Sequence, residues 1–357
     1  MAALIFWLSL ICILYVYLGY PLLLVVWRTL RPWPVQKRHL EPSVSLVIAM
    51  HNESSNVHAK MQNSLALDYP PDKLQIIVSL DAPTDGTDAM LREYQGPRVT
   101  VRESTTRRGK AVAINSALTI ATGEIVVFAD ARQRFELNAI RELVANFADS
   151  SVGAVSGELI LQDAAGKEAT SAVGIYWRYE KAIRSMESDI HSVPGASGAI
   201  YAIRRELFKP LPSGTVLDDV VIPMRIAMLG MRAIFDRQAR AYDRVSQTPE
   251  LEYEKKCRTL MGNYELFAEL PQLLVPWKNP IFVQTVSHKA GRLVIPYCLV
   301  ALFVSNGFLL HGPYVLFFGG QLAWYLLACI GWVLSSCRSK VAVSTTAPPA
   351  RSEITNE

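Results

Sequence analysis

The stretch Ile125-Val126-Val127-Phe128-Ala129-Asp130-Ala131-Arg132 decides the fold of this 357-residue chain. Its first five residues are all apolar, and such a run predicts a strand that is buried on both faces, as in parallel sheets. The strand ends abruptly on the carboxylate of Asp130. An acid at the carboxyl end of a buried parallel strand lies in the crevice where open α/β sheets bind their ligands. We therefore predict an α/β fold with a ligand site at this edge of the sheet.

Strand-like and helical segments alternate around this strand, as expected for βαβ units and a mostly parallel, Rossmann-like sheet over residues 44–274. The pattern predicts further strands at Val44–Met50, Leu74–Leu80, Val99–Arg102, Val152–Leu161 and Ala196–Ile203, the last interrupted by glycine. It predicts helices at Ser54–Leu67, Lys110–Ala121, Asn138–Phe147, Ser171–Ser188, Asp219–Gly230 and Glu252–Leu274. Two of these elements adjoin further acids, because Asp81 follows a strand and Asp219 opens a helix.

Apolar residues are concentrated at the two ends of the chain. Residues 1–27 carry no charged side chain, and Ala3–Trp27 is long enough to span a bilayer. The alternative, a cleaved signal peptide, would need a basic start and a small-residue cleavage site, which are missing. No Asp, Glu, Lys or Arg lies between Leu293 and Cys337, which favours two spans broken near His311-Gly312-Pro313 over a buried hairpin. We predict one transmembrane helix within residues 1–30 and two within 293–336.

Three other segments complete the predicted organisation. Residues 31–43 form a linker stiffened by prolines. Residues 275–292, which include Trp277 and Phe282, are predicted to lie in the membrane interface, and an ordinary core connector is the alternative. Residues 337–357 are rich in Ser, Thr, Ala and Pro, which is typical of a disordered tail.

Basic residues flank the predicted spans on one side: Arg28, Arg31, Lys37 and Arg38 after the first, Lys289 and Arg292 before the second, Arg338 and Lys340 after the third. By the positive-inside rule, residues 28–292 and the tail lie in the cytosol and the N-terminus lies outside. We therefore predict a multi-pass protein of the plasma or inner membrane with a cytosolic catalytic domain.

Charge and motif content exclude several other classes. The flanks largely account for the net charge of +4, which indicates membrane lipids with anionic headgroups and no nucleic acid. The five cysteines form no CxxC pair and the six histidines lack zinc-site spacing, so neither disulfides nor a structural metal is expected. Gly109-Lys110 lacks the rest of a P-loop, and no GxGxxG follows the first strand.

Five segments in order resemble the motifs of the inverting family 2 glycosyltransferases of GT-A fold, in particular the membrane-bound cellulose synthase-like branch. The similarity runs from about Ser45 to Gly262. The segments are Ala49–Glu53 for the first-strand motif, Ser79–Thr87 for the acidic loop, Arg107–Leu118 for the GK segment, Phe128–Arg132 for the DxD region and Leu217–Asp219 for the TED motif.

The resemblance implies transfer of a sugar from a nucleotide-diphosphate donor, expected to be UDP-linked, to a lipid-linked or polysaccharide acceptor. It implies Asp219 as the general base, although Asp218 and Asp219 also suit the cap of a helix, and the two roles are compatible. The donor-binding residues it implies are Asn52, Glu53, Asp81, Lys110, Asp130, Arg132 and Arg258. The acceptor-side residues it implies are Gly195, Ser197, Gly198 and Asp218.

The residues themselves leave alternatives open. Asn52 and Glu53 also suit the cap of a helix that begins near Ser54. Lys110 suits a solvated loop as well as a phosphate contact. The glycines at 195 and 198 suit a tight turn as well as a floor below a sugar.

Two positions depart from the family pattern. Arg132 stands where a second acid is usual, and arginine cannot ligate a metal. We expect Mg²⁺ or Mn²⁺ at Asp130, with Arg132 either contacting the diphosphate or facing away. In the segment Lys255–Gly262, Arg258 and Gly262 match the helix motif QxxRWxxG, whereas Lys255 and Thr259 replace its Gln and Trp. A processive synthase remains one alternative, and a catalytically weak nucleotide-binding subunit of a polysaccharide export complex, with membrane partner subunits, is another.

The orientation is testable by thiol labelling in intact cells. In a cysteine-free background, Ala2→Cys and Gly312→Cys should react with a membrane-impermeant reagent, whereas Ser352→Cys should react only after lysis, because the basic flanks stay in the cytosol. Labelling of Ser352→Cys in intact cells would reverse the predicted orientation.

Overall fold

A mixed sheet carries the α/β domain of the computed structural model, which describes residues 1–163, 166–168, 172–245 and 249–345. Within these residues the sheet has eight strands in the order β3-β2-β1-β4-β7-β6-β8-β5. Their bounds are β1 Val44–Met50, β2 Leu74–Asp81, β3 Val99–Ser104, β4 Ile125–Asp130, β5 Arg134–Phe135, β6 Val152–Gln162, β7 Ile200–Arg204 and β8 Arg232–Arg244.

Strand β4 lies between the two halves of the sheet. On one side β1 pairs in parallel with β4 and β2, and β2 pairs in parallel with β3. On the other side β7 is antiparallel to β4 and β6, β6 is parallel to β8, and β5 is antiparallel to β8. The predicted α/β sheet is confirmed, and its second half is more mixed than the predicted mostly parallel arrangement.

The helices are α1 Ala2–Leu30, α2 Ser54–Leu65, α3 Thr87–Arg92, α4 Lys110–Leu118, α5 Ala139–Ala145, α6 Ala172–Ile190, α7 Asp218–Met228, α8 Pro249–Glu269, α9 Phe282–Gly307 and α10 Tyr314–Thr345. Side chains of alternating residues in a strand point to opposite faces. Accordingly Ile48 and Val127 pack in one core with residues of α2 and α5, whereas Val47 and Phe128 pack in a second core with residues of α4 and α7. Burial of both faces explains the uninterrupted apolar run in β4.

No predicted element corresponds to β8, which is the longest strand among the described residues. Its residues do not alternate regularly between apolar and polar, and they include four arginines and two aspartates. Arg232 is nevertheless completely buried, because its guanidinium donates to the backbone oxygens of Trp33, Ser188 and His191 and lies 4.5 Å from the Trp33 ring centre. These hydrogen bonds and the ring contact lower the cost of burying the charge, although Nη1 has no hydrogen-bond partner among the described residues.

The predicted strand Ala196–Ile203 is wrong in its first half. Only Ile200–Arg204 is a strand, and the preceding residues form a turn. The backbone amide of Ala196 donates to the backbone oxygen of Asp219 (2.7 Å), and that of Ser197 donates to the Ser156 hydroxyl (3.0 Å). These contacts hold the glycine-containing turn against the start of α7.

Within the described residues, three helices are long and apolar enough to cross a membrane: Ala2–Leu30, Phe282–Gly307 and Tyr314–Val333. This agrees with the three predicted spans and with a break near His311. The second helix begins eleven residues before the predicted span at Leu293, so part of the predicted interfacial segment 275–292 is helical. Helix α10 continues to Thr345, past the predicted start of the tail at 337, and residues 346–357 lie outside the described residues.

The chain divides into two compact units. The larger one comprises Tyr15–Val245 and Cys257–Leu293 and contains the whole sheet. The smaller one comprises Met1–Leu14, Ser246–Lys256 and Val294–Glu357. In the smaller unit, Phe6 packs edge-to-face against Tyr314 and Phe317, with ring centres 5.2 and 5.5 Å away.

Candidate active site

Lys110 is the centre of the candidate site. Its ammonium lies 2.8 Å from Asp130 Oδ1, at the end of β4, and 3.1 Å from Asp218 Oδ1, at the start of α7. Burial would lower the pKa of Lys110, but the negative charges of Asp130, Asp218 and Asp219 outweigh it and raise the pKa above its ordinary value. Lys110 is therefore a permanent cation that joins a strand end to a helix start, not a solvated loop lysine.

Asp218 is buried and occupied by protein groups. Its side chain is 3% exposed, and its second oxygen accepts a hydrogen bond from the Tyr201 hydroxyl at 3.0 Å. The Tyr201 ring stacks on Phe128 with ring centres 4.5 Å apart. The sequence placed Asp218 on the acceptor side, whereas this geometry favours a positioning residue that holds Lys110.

Asp219 lies next to the glycine turn. Its Oδ2 accepts a hydrogen bond from the Gly198 amide at 2.9 Å, and a Cβ at position 198 would lie only 3.1 Å from that oxygen. Burial and the neighbouring Asp218 raise the pKa of Asp219 to about 6, against the opposing effect of Lys110 and Lys289. A carboxyl group with a pKa near neutrality is well matched to accept a proton at physiological pH.

The helix-cap alternative for the acid pair is not what the structure has. Leu217 occupies the cap position of α7, no side chain caps it, and Asp218 and Asp219 are the first two helical residues. At these positions the positive end of the helix dipole stabilises their negative charges, and neither side chain caps the helix. Gly262 lets α8 approach this segment, since a Cβ at that position would lie 2.5 Å from the Leu217 side chain.

Gly195 and Gly198 shape the turn beside Asp219. Gly195 has φ +128°, a conformation that side chains rarely adopt, and a Cβ there would meet Val220 at 3.2 Å. Ser197 lies between them, with its amide bonded to Ser156. The tight-turn alternative is therefore realised, and the turn also brings the backbone close to the acid.

Asp81 holds the basic loop that precedes Lys110. Its side chain is buried, and its two oxygens accept hydrogen bonds from the backbone amides of Arg108 (2.7 Å) and Gly109 (2.8 Å). Gly109 has φ +88°, which turns the chain sharply into α4. The main observed role of Asp81 is thus to fix this loop at the carboxyl edge of the sheet.

Asn52 and Glu53 are engaged with neighbouring polar groups. The Asn52 amide bonds the backbone amide and the hydroxyl of Thr84, at 2.8 and 3.2 Å. The Glu53 carboxylate accepts a hydrogen bond from the Asn56 side chain at 2.6 Å. Neither side chain caps α2, because Asp85 instead accepts from the Ser54 amide at 3.0 Å. Asp85 was not among the predicted site residues, although an Asp-Gly-Thr turn after a strand is a known signal for such contacts.

Arg132 is paired with an acid that the sequence analysis missed. Its guanidinium lies 3.0 Å from Asp243 Oδ2, and that oxygen also accepts from the Gln133 side chain at 2.8 Å. Asp243 is buried on β8, the strand without a sequence signal. Arg258 is exposed on α8, and among the contacts of the described residues it makes none with the Lys110 cluster.

The residues present do not form a metal site by themselves. Among the described residues, no group of three or more His, Cys, Asp or Glu side chains could hold a metal ion. Asp130 offers a side chain that is 38% exposed at the edge of the sheet. Mg²⁺ commonly takes one or two carboxylates together with substrate phosphates and waters. Asp130 therefore fits a cation that is bound jointly with a diphosphate.

Residues 45–211 match the family model described as Glycosyl transferase family 2. The chain is a glycosyltransferase whose residues 45–211 resemble family 2. The predicted enzyme class is thereby confirmed, and the cellulose synthase-like branch stays a prediction.

Relatives and solved structures agree with this assignment. The chain is 24% identical over 333 residues to the probable glycosyltransferase YdaM of Bacillus subtilis (strain 168), covering 86% of this chain and 74% of that protein. It is 28% identical over 152 residues to the beta-monoglucosyldiacylglycerol synthase of Synechocystis sp., covering 40% of this chain and 32% of that synthase. It is also similar to the mannosyltransferase PcManGT from Pyrobaculum calidifontis, solved in complex with GDP-Man and Mn²⁺, with a TM-score of 0.75, 26% identity and coverage of 91% and 92% of the two chains.

The role of Asp81 can be tested by limited proteolysis. Asp81→Asn leaves one acceptor oxygen for two backbone amides and places an NH₂ group against one of them, so the exposed loop should open more often. We expect trypsin to cleave after Arg107 or Arg108 several-fold faster, as followed by mass spectrometry. Asp88→Asn, which alters a partly exposed acid on α3, is the matched control and should not change the rate. Unchanged cleavage of Asp81→Asn would show that other contacts hold the loop.

Proposed function

We propose that this glycosyltransferase moves a sugar from a nucleotide-diphosphate donor to a lipid-linked or polysaccharide acceptor at the cytosolic membrane surface, with inversion at the anomeric carbon. The observation that carries the proposal is the arrangement of Lys110 between Asp130 and Asp218, with Asp219 beside it. This arrangement combines a fixed cation for a leaving diphosphate with a carboxylate that can take a proton.

Departure of a nucleoside diphosphate leaves growing negative charge, so preorganised positive groups stabilise the transition state. Lys110 supplies one such charge, and the loop held by Asp81 places Arg107 and Arg108 immediately before it. A divalent cation bound between Asp130 and the diphosphate would add further charge, and the Mn²⁺ in the PcManGT complex supports this. Arg132, engaged with Asp243, is then not a substitute for the cation.

Asp219 is the proposed general base. It would take the proton of the acceptor hydroxyl as that oxygen attacks the anomeric carbon. Attack from the face opposite the leaving group inverts the anomeric centre, so an α-linked donor gives a β-linked product. The hydrogen bond from Gly198 holds the carboxylate in one orientation, and Asp218 helps to keep its pKa near neutrality.

The acceptor and the nucleotide are proposed from different observations. Similarity to a beta-monoglucosyldiacylglycerol synthase and the three apolar helices support an amphiphilic acceptor. We retain a UDP-sugar as the first donor to test, and the GDP-Man bound by PcManGT makes GDP-sugars the second. Thr259 has no aromatic face for an acceptor sugar, and this favours single transfer over processive synthesis.

The base assignment predicts both a rate and a pH dependence. Asp219→Asn should reduce turnover by roughly two or more orders of magnitude with little change in donor binding, because only the proton acceptor is lost. Since the base must be ionised, wild-type kcat/KM should be level well above pH 6 and fall as the pH drops through about 6, where half of the base is protonated. The residual activity of Asp219→Asn should lack this acidic limb, and Asp88→Asn should behave as the wild type. Near-normal turnover of Asp219→Asn would refute the assignment.

Metal removal tests whether the diphosphate is neutralised by a cation bound at Asp130 or by Arg132. We expect a chelator to abolish turnover and Mn²⁺ or Mg²⁺ to restore it, because Asp130 and the diphosphate would share the ion. Arg132→Ala should have only a small effect, since Arg132 is held by Asp243. Activity that persists in chelator and disappears in Arg132→Ala would show instead that the arginine has replaced the metal.

A further inference from the structure

A buried lysine on α2 contacts the chain segment that follows Asp130. Lys60 is 3% exposed, and its ammonium donates a hydrogen bond to the backbone oxygen of Gln133 at 2.9 Å. The same ammonium lies 4.6 Å from the centre of the Phe135 ring. The acceptor of the hydrogen bond is a neutral backbone oxygen and not a carboxylate, so it only partly offsets the cost of burying a charged group. An apolar side chain of similar length would fill this space without that cost, so the contact with Gln133 is the specific contribution of the lysine.

A second residue of α2 contacts the same segment. Asn63 follows Lys60 by three positions, which places the two side chains on one face of the helix. The Asn63 side chain accepts a hydrogen bond from the Phe135 amide at 2.7 Å and donates one to the Phe135 backbone oxygen at 2.9 Å. Helix α2 therefore holds the backbone of the segment at two positions, Gln133 and Phe135.

Strand β8 holds the same segment through a separate set of contacts. Arg134–Phe135 forms β5, which pairs antiparallel with β8. The side chain of Gln133 donates to Asp243 Oδ2 on β8 at 2.8 Å. Gln133 is therefore held through its backbone by Lys60 and through its side chain by Asp243. The chain that leaves Asp130 is fixed to two different elements within three to five residues.

The orientation of Asp130 matters more in this site than in one with two acids. Two nearby carboxylates can hold a cation between them, but here Arg132 stands at the second position and pairs with Asp243. Mg²⁺ demands near-octahedral geometry from its ligands, so a single carboxylate must be well oriented by the protein. Groups that orient a metal ligand typically contribute about 10- to 100-fold to metal affinity.

We propose that Lys60 is a positioning residue for Asp130: through the backbone of Gln133 it fixes the segment after Asp130, so that one carboxylate and the diphosphate together hold the divalent cation. The proposal rests on the proposed function, because it assumes that a cation binds at Asp130. Lys60 contacts neither the cation nor the diphosphate in this arrangement. It acts only through the direction in which the chain leaves β4.

The affinity for Mn²⁺ can be measured on the full chain in detergent without any turnover. Electron paramagnetic resonance reports free Mn²⁺ during a titration in the presence of GDP and, separately, of UDP, after correction for Mn²⁺ bound by the nucleotide alone. Lys60→Met keeps the length of the side chain and removes the hydrogen bond. We expect this variant to bind Mn²⁺ about tenfold more weakly, at the lower end of the range for orienting groups because Lys60 acts at a distance of three residues. Binding of the nucleotide without metal should be unchanged.

The sign of the change separates positioning from electrostatics. Loss of a positive charge near Asp130 would by itself strengthen the binding of a cation, because like charges repel. Weaker Mn²⁺ binding by Lys60→Met therefore cannot result from the charge. Turnover should show the same split, with a higher Mn²⁺ concentration needed for half-maximal rate and a nearly normal rate at saturating Mn²⁺.

Three further variants complete the experiment. Asn63→Ala removes the contacts with Phe135 but leaves Lys60 in place, and it should also weaken Mn²⁺ binding, which provides a second test if Lys60→Met does not fold. Lys73→Met removes an ammonium group from a side chain that is 41% exposed and should change nothing. Asp130→Ala removes the proposed ligand and should abolish Mn²⁺ binding. Amide hydrogen exchange of residues 131–136 should be several-fold faster in Lys60→Met and in Asn63→Ala than in Lys73→Met.

Mn²⁺ binding by Lys60→Met that equals or exceeds that of the wild type, with only a lower unfolding temperature, would overturn the proposal and make Lys60 a purely structural residue. The proposed function fails separately. If Asp130→Ala binds Mn²⁺ as the wild type does, the cation site at Asp130 is wrong and the role of Lys60 falls with it. If Asp130→Ala loses Mn²⁺ and neither Lys60→Met nor Asn63→Ala does, only the role of Lys60 is refuted.

Discussion

The contact of one ammonium group with two carboxylates organises this site. Lys110 begins α4, Asp130 ends β4 and Asp218 begins α7, and the ion pairs of 2.8 and 3.1 Å join these three elements. Asp130, Asp218 and Asp219 would otherwise be neighbouring negative charges that repel one another, and Lys110 offsets this repulsion. Its positive charge also opposes the rise in the Asp219 pKa that burial and Asp218 cause, and that pKa is about 6.

Two acids, the predicted ligand contact Asp81 and the unpredicted Asp85, build the loops of the site. Asp81 accepts two backbone amides of the basic loop, and Asp85 accepts the first amide of α2. The turns at Gly109 and at Gly195 both use a positive φ angle, which glycine adopts more readily than other residues. Backbone amides satisfied by carboxylates give rigid loops, and rigid loops keep charged groups where a transition state requires them.

The proposed acceptor side of the site is continuous with the start of one of the apolar helices. The turn Gly195–Gly198 contacts Asp219 and Arg184 through its backbone. His288 of α9 contacts Glu180 and Glu187 of α6, which joins the start of α9 to α6. The base and the first turns of an apolar helix therefore belong to one compact unit. The proposed lipid-linked acceptor would need such continuity, because its reactive hydroxyl would remain near the headgroups.

The sequence alone determined the α/β class and the three apolar helices, because apolar runs are local patterns. For the same reason it placed Asp81 and Asp130 at strand ends and Asp219 at a helix start. It did not reveal β8, whose buried Arg232 and Asp243 are stabilised by partners distant in the chain. Only the tertiary structure decided that Asp218 holds Lys110, that Arg132 pairs with Asp243 and that Asp85 caps α2. These assignments depend on which polar groups meet after desolvation, and a one-dimensional pattern does not contain that information.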